Sequence, residues 1–187
     1  MTSLDHRRDN RSVKLFEKNI KDFTQREYIW GIALRKHFCQ TGKICTMLEH
    51  GVDNFGNLIK DRLPNYNVDK IYNFENGTKK HIEIKTIPEY CDFWTIKVSS
   101  LLACIKEKAF ILIPKKDFFW LFCWETSKHF YEKYQHKIYE KFSPNDLAVR
   151  IHNLKDLEKN KRIYKLNWSS KAKEFIINNE NILFRKK

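Results

Sequence analysis

A β-hairpin in the middle of the chain constrains the fold more than any other feature of the sequence. Residues 81–87 (HIEIKTI) alternate strictly between apolar and polar side chains, which is typical of a strand buried on one face. Residues 68–74 (VDKIYNF) have strand composition, and Asn76-Gly77 between the two stretches tolerates the positive φ of a tight hairpin turn. The sequence therefore predicts two antiparallel strands joined at this turn.

Two segments before the hairpin predict helical structure. Between residues 22 and 39, large side chains recur at three- and four-residue steps, which is typical of an amphipathic helix. The members of this stripe are Phe23, Glu27, Trp30, Leu34 and Phe38. Gly42 marks a break, and we expect residues 44–50 to form a second, short helical piece.

A helix and two strands are predicted after the hairpin. Ser99 or Ser100 can cap a helix that continues through residue 108. Residues 109–114 (AFILIP) are wholly apolar, as expected at the centre of a mixed sheet, and residues 118–125 form a further strand. This order predicts an α/β (α+β) fold with a mixed central β-sheet flanked by helices.

The chain divides into three parts by composition. Residues 1–21 are polar and basic and predict an N-terminal arm, residues 22–126 predict the core, and residues 127–187 predict a mostly helical C-terminal extension. In the extension, aromatic or aliphatic residues recur every fourth position from 130 to 142, followed by a strand candidate (IYKLNW) and a final helix over residues 171–177. We interpret the extension as a DNA-binding or dimerisation segment.

The charge balance indicates an anionic partner. The 36 Lys and Arg residues against 23 Asp and Glu give a formal net charge of +13, which attracts nucleic acid or an acidic membrane. A proteome rich in Lys and Asn is the alternative explanation. No signal peptide is recognisable, and the longest apolar run (residues 118–124) is too short for a bilayer. With an odd number of cysteines (five) and no CxxC pair, we expect a cytoplasmic protein with reduced thiols and no membrane partner.

The hairpin carries the residues with the clearest chemistry. Glu83 and Lys85 project to the same side of a strand, while Ile82 and Ile84 point into the core. Asp69 lies on the preceding strand, so two carboxylates can approach each other and chelate a hard divalent cation such as Mg²⁺. The alternative is a solvated strand with alternating charges. Glu83-Ile84-Lys85 is, however, the one place in the sequence where an acidic residue precedes Lys by two.

These residues resemble the PD-(D/E)xK nuclease superfamily. The similarity consists of Pro64, then Asp69, thirteen residues and Glu83-Ile84-Lys85, within a helix–strand–strand–helix–strand order over residues 22–126. Four residues separate Pro64 from Asp69, so the proline is not adjacent to the acid. The resemblance implies a restriction-endonuclease-like fold, Mg²⁺-dependent phosphodiester hydrolysis with Mn²⁺ as a substitute, and metal ligation by Asp69 and Glu83.

Glu27 is a further candidate for the same site. It lies within the apolar stripe of the first helix, where a carboxylate is costly to bury without a partner. Many members of the superfamily carry an acidic residue on the first core helix that reaches the metal, and Glu27 matches that position. An ion pair with Arg26, Arg35 or a lysine elsewhere is the alternative.

Four residues are candidates for contact with nucleic acid. Lys97 and Ser99 approach the start of a helix, which suits phosphate binding, although ordinary capping explains them equally well. Lys128 and Lys133 belong to the basic C-terminal segment. His81 shares the face of Glu83 and Lys85 and is either a fourth site residue or a solvated strand position.

The sequence leaves several functions open. The main hypothesis is an endonuclease acting on double-stranded or branched DNA, either sequence-specific (restriction or homing type) or structure-specific (junction resolvase type). A non-catalytic, basic nucleic-acid-binding protein and an RNA-directed nuclease are the alternatives. Two symmetric cuts need two active sites, so a homodimer is compatible with the main hypothesis.

Overall fold

The computed structural model of the chain describes residues 13–49, 70–87, 94–134, 138–140, 147–151 and 163–184. Over these residues the chain is an α+β protein with a mixed six-stranded sheet, a three-stranded sheet and five helices. The helices are α1 (Val13–Gln40), α2 (Val98–Lys106), α3 (Trp124–Tyr134), α4 (Ser170–Asn178) and α5 (Glu180–Leu183). The strands are β1 (Cys45–Glu49), β2 (Lys70–Phe74), β3 (Lys79–Ile84), β4 (Trp94–Lys97), β5 (Phe110–Pro114), β6 (Phe118–Phe122), β7 (Ile138–Glu140), β8 (Leu147–Ile151) and β9 (Ile163–Asn167).

The predicted hairpin is confirmed. Strands β2 and β3 pair antiparallel, and Lys70 lies opposite Ile82. Gly77 has the positive φ of 78° that the turn requires, and the backbone N–H of Thr78 donates to Oδ1 of Asn76 at 3.0 Å. Strand β3 begins two residues earlier than the alternation predicted, because Lys79 pairs with Asn73 across the turn.

The central sheet is mixed, as predicted. Its strand order is β1-β2-β3-β5-β6-β9, and only the β3–β5 pair within it is parallel. Strand β5 is central and four of its five residues are buried, which confirms the assignment of its wholly apolar sequence. The connection from β3 to β5 passes through β4 and α2, the crossover that a parallel pair needs.

The helical piece expected over residues 44–50 is wrong within the described residues, because Cys45–Glu49 is strand β1, paired with β2. Helix α1 ends in a Schellman motif: Gly42 has a φ of 78°, and the N–H of Lys43 donates to the carbonyl of Phe38 at 2.9 Å. After this stop, the following residues are too few for an independent helix. They satisfy their backbone groups by pairing with β2 instead.

The helix expected from the four-residue repeat over residues 130–142 is also shorter than its periodicity indicated. Helix α3 ends at Tyr134, and Ile138–Glu140 is strand β7, which pairs with β8 in the sheet of order β4-β8-β7. The four-residue repeat therefore fails after Tyr134. A repeat within a short segment does not predict whether that segment pairs with a strand from another part of the chain.

The end of the chain contributes to the main sheet. The predicted strand and final helix are confirmed as β9 and α4, and β9 pairs with β6 along the edge of the six-stranded sheet. Trp168 stacks on Trp30 of α1 with ring centroids 5.8 Å apart, and the N–H of Ser169 donates to Nδ1 of His37 at 3.0 Å. Residues 163–184 therefore pack directly against β6 and α1, which belong to the predicted core of residues 22–126. At the other end, α1 begins at Val13, so the expected boundary at residue 21 falls inside a helix.

Two apolar clusters cover the two faces of the central sheet. One packs α1, α4 and α5 against the sheet and includes Ile82 and Ile84, which confirms their predicted inward orientation. The other packs α2 and α3 against the opposite face, around Leu101 and Ile111. Within the part of the chain that is described, no helix combines the length and the apolar character needed to cross a membrane.

The cysteines are free thiols at the four described positions. Cys45 and Cys104 are buried and Cys123 is partly buried, whereas Cys39 is exposed; Cys91 lies outside the described residues. Burial is the main reason why the pKa of the Cys45 thiol rises to about 11. This thiol therefore stays protonated near neutral pH and is a poor nucleophile.

Candidate active site

Glu83 and Lys85 form an ion pair where β3 ends. Nζ of Lys85 lies 2.5 Å from Oε1 of Glu83. The Glu83 side chain is only 7% exposed, whereas that of Lys85 is 24% exposed. The N–H of Lys85 donates to the carbonyl of Leu112 at 2.8 Å, which continues the parallel pairing with β5 one residue beyond the strand. The backbone that carries this pair is therefore held by the centre of the sheet.

Glu27 on helix α1 interacts electrostatically with the same pair. Burial raises the pKa of the Glu27 carboxyl to about 7; Lys85 opposes this rise, Glu83 adds to it and Lys70 opposes it. Glu27 is therefore near enough to Lys85 and Glu83 for their charges to change its pKa. The proposed partners Arg26 and Arg35 donate from Nε to backbone carbonyls, at Ile182 and Cys45 respectively. If Glu27 is instead part of a structural ion pair, the positive charges that act on it are those of Lys85 and Lys70, near the same candidate site.

Lys70 is a member of this cluster that the sequence reasoning missed. It is the first residue of β2 and is only 3% exposed. A signal for it exists in the sequence: residues 70, 72 and 74 share one face of a strand, and Tyr72 on that face is fully buried. A lysine at an inward position of a strand is rare unless it is paired.

Gly31 makes room for the cluster on the surface of α1. A β-carbon placed on Gly31 would lie 2.8 Å from Sδ of Met47 and 3.4 Å from Cε of Lys70. The hydroxyl of Tyr72 donates to the carbonyl of Gly31 at 2.9 Å, so the helix and β2 are in direct contact here. This close approach explains a glycine in the interior of a helix, where it otherwise lowers stability.

We expect Gly31→Ala to destabilise the protein by about 1–3 kcal/mol, the usual cost of overpacking a well-packed site. The added methyl group must displace the thioether of Met47, and it also crowds the Lys70 side chain. Urea denaturation followed by far-UV circular dichroism measures the change. A variant at least as stable as the natural protein would contradict the close packing described for this face of α1.

Asp69, the third predicted acid, lies outside the described residues, as does Pro64. In the sequence Asp69 directly precedes Lys70, the first residue of β2. The described part of the chain contains no group of three or more His, Cys, Asp or Glu side chains arranged to hold a metal ion. Glu27 and Glu83 are the two carboxylates of the predicted ligand set that the described residues contain.

One cavity of the described residues is centred away from this cluster. It has a volume of about 440 Å³, and its lining combines apolar residues such as Phe38, Phe74 and Phe110 with polar residues of the hairpin turn. These residues surround the turn end of the hairpin, whereas Lys70 and Glu83 lie at its other end. Along α1, Phe38 is about 16 Å from Glu27 at 1.5 Å per residue. Cavity and charged cluster are separate features.

Lys97 and Ser99 lie at the start of α2, as predicted, but the capping prediction is wrong. The helix begins at Val98, Lys97 occupies the N-cap position with extended backbone, and no side chain caps the helix. Ser99 and Ser100 are therefore inside the first turn. Lys97 and Ser99 are both exposed, so their side chains are accessible to a phosphate group.

Lys128 and Lys133 are exposed on α3. Nζ of Lys128 lies 3.9 Å from Oε1 of Glu132, one helical turn later, and both side chains are more than half exposed. Such an exposed pair is weak, so Glu132 does not prevent Lys128 from contacting an anion. His81 pairs instead with Glu107, since its Nδ1 lies 3.8 Å from the Glu107 carboxylate.

No protein-family model matches this chain, and no curated protein is significantly similar to it in sequence.

Proposed function

We propose that the protein is a divalent-metal-dependent nuclease that hydrolyses phosphodiester bonds in DNA. The observation that carries this proposal is the electrostatic interaction of Glu27 on α1 with Glu83 on β3 and with Lys85, which directly follows β3. Burial and the neighbouring Glu83 make the Glu27 carboxyl resist ionisation, which lowers stability at neutral pH. Arrangements that shift the pKa of a buried acid in this way are concentrated at functional sites.

Glu83 and Lys85 differ in exposure, and this difference indicates a different role for each. Glu83 is almost completely buried, so its carboxylate is suited to bind a metal ion away from bulk solvent. Lys85 is about a quarter exposed at its side chain, and its ammonium group can reach a phosphate oxygen while it also contacts Glu83. In that position, Lys85 stabilises the negative charge that develops on the phosphate during hydrolysis and orients an attacking water.

The chemistry of the donor groups suits a hard cation. Glu27 and Glu83 present carboxylate oxygens, the ligands that Mg²⁺ prefers, and Mn²⁺ is expected to replace it. Asp69 is proposed as the third ligand because it directly precedes Lys70 at the start of β2. When bound, the ion supplies electrophilic activation of the phosphoryl group and acidification of water.

The order of elements supports the same proposal. A helix, the β1-β2-β3 meander, α2 and then β5 parallel to β3 contain the helix–strand–strand–helix–strand order on which the resemblance to the PD-(D/E)xK superfamily rests. A fold of this kind hosts more than one function. The assignment of a restriction-endonuclease-like fold is therefore a proposal too, and it is tested together with the nuclease function.

A non-catalytic nucleic-acid-binding protein is the second candidate. The observation that favours it is the close Glu83–Lys85 pair, which by itself is a satisfied buried ion pair. In that case the net charge of +13 would serve binding alone. The two functions can be distinguished by changing Asp69 or Glu83. A nuclease then loses cleavage but still binds nucleic acid, whereas a non-catalytic protein has no cleavage to lose.

The decisive experiment is incubation of the full chain with plasmid, branched DNA, single-stranded DNA and RNA, with Mg²⁺ and with EDTA. Cleavage of DNA that stops in chelator supports the proposal, and the preferred DNA substrate separates sequence-specific from structure-specific enzymes. Cleavage of RNA alone would redirect it to an RNA-directed nuclease. Binding without cleavage under all metal conditions would favour the second candidate.

We expect Lys128→Gln and Lys133→Gln together to weaken binding of duplex DNA and to flatten its salt dependence. Each lost phosphate contact reduces the slope of log K against log salt concentration by about 0.9. Fluorescence anisotropy at several salt concentrations measures the slope. Lys79→Gln at the hairpin turn removes one exposed lysine outside the proposed interface and is the control for each single substitution on α3. An unchanged slope would remove α3 from the proposed interface.

A further inference from the structure

Two cysteines lie at the junction between α1 and β1. Cys39 is in the last turn of α1 and is exposed, whereas Cys45 is the first residue of β1 and is buried. The chain reverses its direction between them at Gly42, where the N–H of Lys43 donates to the carbonyl of Phe38 at 2.9 Å. Strand β1 therefore starts back along α1, only a short stretch of chain after the helix has ended.

The side chain of Cys45 faces α1. In the register of β1 and β2, Cys45 lies opposite Phe74, and residues directly opposite each other in an antiparallel pair project to the same face of the sheet. The ring of Phe74 contacts the ring of Phe38 on α1, with centroids 5.3 Å apart. Cys45 is also buried in the apolar cluster against which Phe38 packs. Its thiol is therefore on the face of the sheet that α1 covers.

Helix α1 places the Cys39 side chain at the same position. Nε of Arg35 donates to the carbonyl of Cys45 at 3.0 Å, so β1 starts beside the turn of α1 that contains Arg35. Cys39 follows Arg35 by four residues, and side chains on a helix lean toward its N-terminus, over the preceding turn. A side-chain hydrogen bond joins Cys39 to Cys45. The two thiols are therefore neighbours, although they come from different elements.

We propose that Cys39 and Cys45 are a redox-active pair that forms a reversible disulfide, with a low-molecular-weight disulfide such as oxidised glutathione as the oxidant. The exposed Cys39 reacts first, because the buried Cys45 is not accessible to the oxidant. Its thiolate attacks one sulfur of the oxidant and releases the first small thiolate. The Cys45 thiolate then attacks the Cys39 sulfur of this mixed disulfide and releases the second. Two protein thiols are oxidised, one external disulfide is reduced, and the two released thiolates take up the protons.

The surroundings of Cys45 favour the second step after the first has occurred. In the reduced protein, burial raises the pKa of the Cys45 thiol to about 11; the charge of Cys39 adds to this rise and Arg35 opposes it. A mixed disulfide at Cys39 carries no negative charge, which removes one obstacle to ionisation of Cys45 while Arg35 remains. Because the thiolate is the nucleophile, closure of the disulfide should be faster at higher pH.

The disulfide would constrain one wall of the cavity near the hairpin turn. Gly42, Lys43 and Ile44 lie between the two cysteines and line this cavity. Along α1, Cys39 is about 18 Å from Glu27 at 1.5 Å per residue. The redox pair is therefore separate from the candidate nuclease site, and its chemistry does not depend on the proposed nuclease function.

The test is equilibration of the folded, full chain with mixtures of reduced and oxidised glutathione, followed by alkylation, trypsin digestion and mass spectrometry. Trypsin cleaves after Lys36 and Lys43, so the two cysteines fall into separate peptides, 37–43 and 44–60. These peptides should be recovered joined by a disulfide that dithiothreitol removes. The effective concentration of the two thiols should be about tenfold or more higher in the folded protein than in concentrated urea, since this ratio equals the stabilisation of the fold by the disulfide.

The variants identify the order of the two steps. Cys39→Ser should abolish the joined peptides, and Cys45→Ala should leave Cys39 as a mixed disulfide with glutathione. The matched control Cys123→Ser removes a partly buried cysteine elsewhere and should leave the joined peptides at the level of the natural protein. In the natural protein, recovery of the two peptides unjoined, or of Cys39 joined to another cysteine, would overturn the proposal. Equal effective concentrations with and without urea would also overturn it, because proximity in sequence alone would then explain the pairing.

Discussion

Glu83→Gln is expected to lower the rate of DNA cleavage by roughly a hundredfold or more, the scale on which a single charge-stabilising group contributes to a buried active site. The variant replaces the carboxylate by an amide of nearly the same shape and removes one proposed ligand of the metal. It leaves Lys85 without this acid, but the Lys85 side chain is 24% exposed and can turn toward water. The fold should therefore persist.

Asp69→Asn and Lys85→Ala should abolish cleavage in the same way. Lys85→Ala needs a parallel measurement of stability, because it leaves the almost completely buried Glu83 without its partner, and breaking a buried pair costs about 3–5 kcal/mol. Single-turnover cleavage under saturating Mg²⁺, beside thermal melting, provides both quantities. Glu75→Gln at the exposed turn is the control and should cleave normally. Robust cleavage by Glu83→Gln would remove this cluster from catalysis.

Glu27→Gln is expected to increase stability above neutral pH while it reduces cleavage. The pKa of the Glu27 carboxyl rises from 4.5 to about 7, mainly through burial. Between these two values the folded protein holds a proton that the unfolded chain has lost, so the free energy of unfolding falls as pH rises from 4.5 to 7. The shift corresponds to about 3 kcal/mol of stability that is present below pH 4.5 and absent above pH 7.

The glutamine variant lacks this titration. Its stability relative to the natural protein should therefore increase by about 3 kcal/mol between pH 4.5 and pH 8, measured by urea denaturation in EDTA. Glu75→Gln at the exposed turn is the control for the substitution itself. A gain in stability with a loss of cleavage identifies a carboxylate retained for function. A loss of stability at every pH with unchanged cleavage would instead make Glu27 half of a structural ion pair.

The local parts of the candidate site were predictable from the sequence. The order of Glu83, Ile84 and Lys85 on an alternating strand determines that both charged side chains project to one face while the isoleucine faces the core. Asn76-Gly77 determines the turn, because only residues that tolerate a positive φ close it. These features depend on neighbours within a few residues, and the structure confirms them.

Other parts of the site required the tertiary structure. The helical pattern around Glu27 identified an acid among apolar residues, but its partners come from strands more than forty residues away. Lys70 was missed because its burial depends on the approach of β2 to Gly31 of α1. A sequence reports which face of a strand a residue occupies, whereas the groups that cover this face are decided by packing.

By itself, the sequence determined the hairpin, the wholly apolar central strand and the helices α1 and α4, since each of these has a continuous local pattern. Only the tertiary structure decided that residues 45–49 and 138–140 become strands and that residues 163–167 complete the edge of the main sheet. Short segments have weak preferences of their own, and they adopt the conformation in which a neighbouring strand satisfies their backbone hydrogen bonds. The same dependence on distant partners places Glu27 within electrostatic range of Lys70, Glu83 and Lys85.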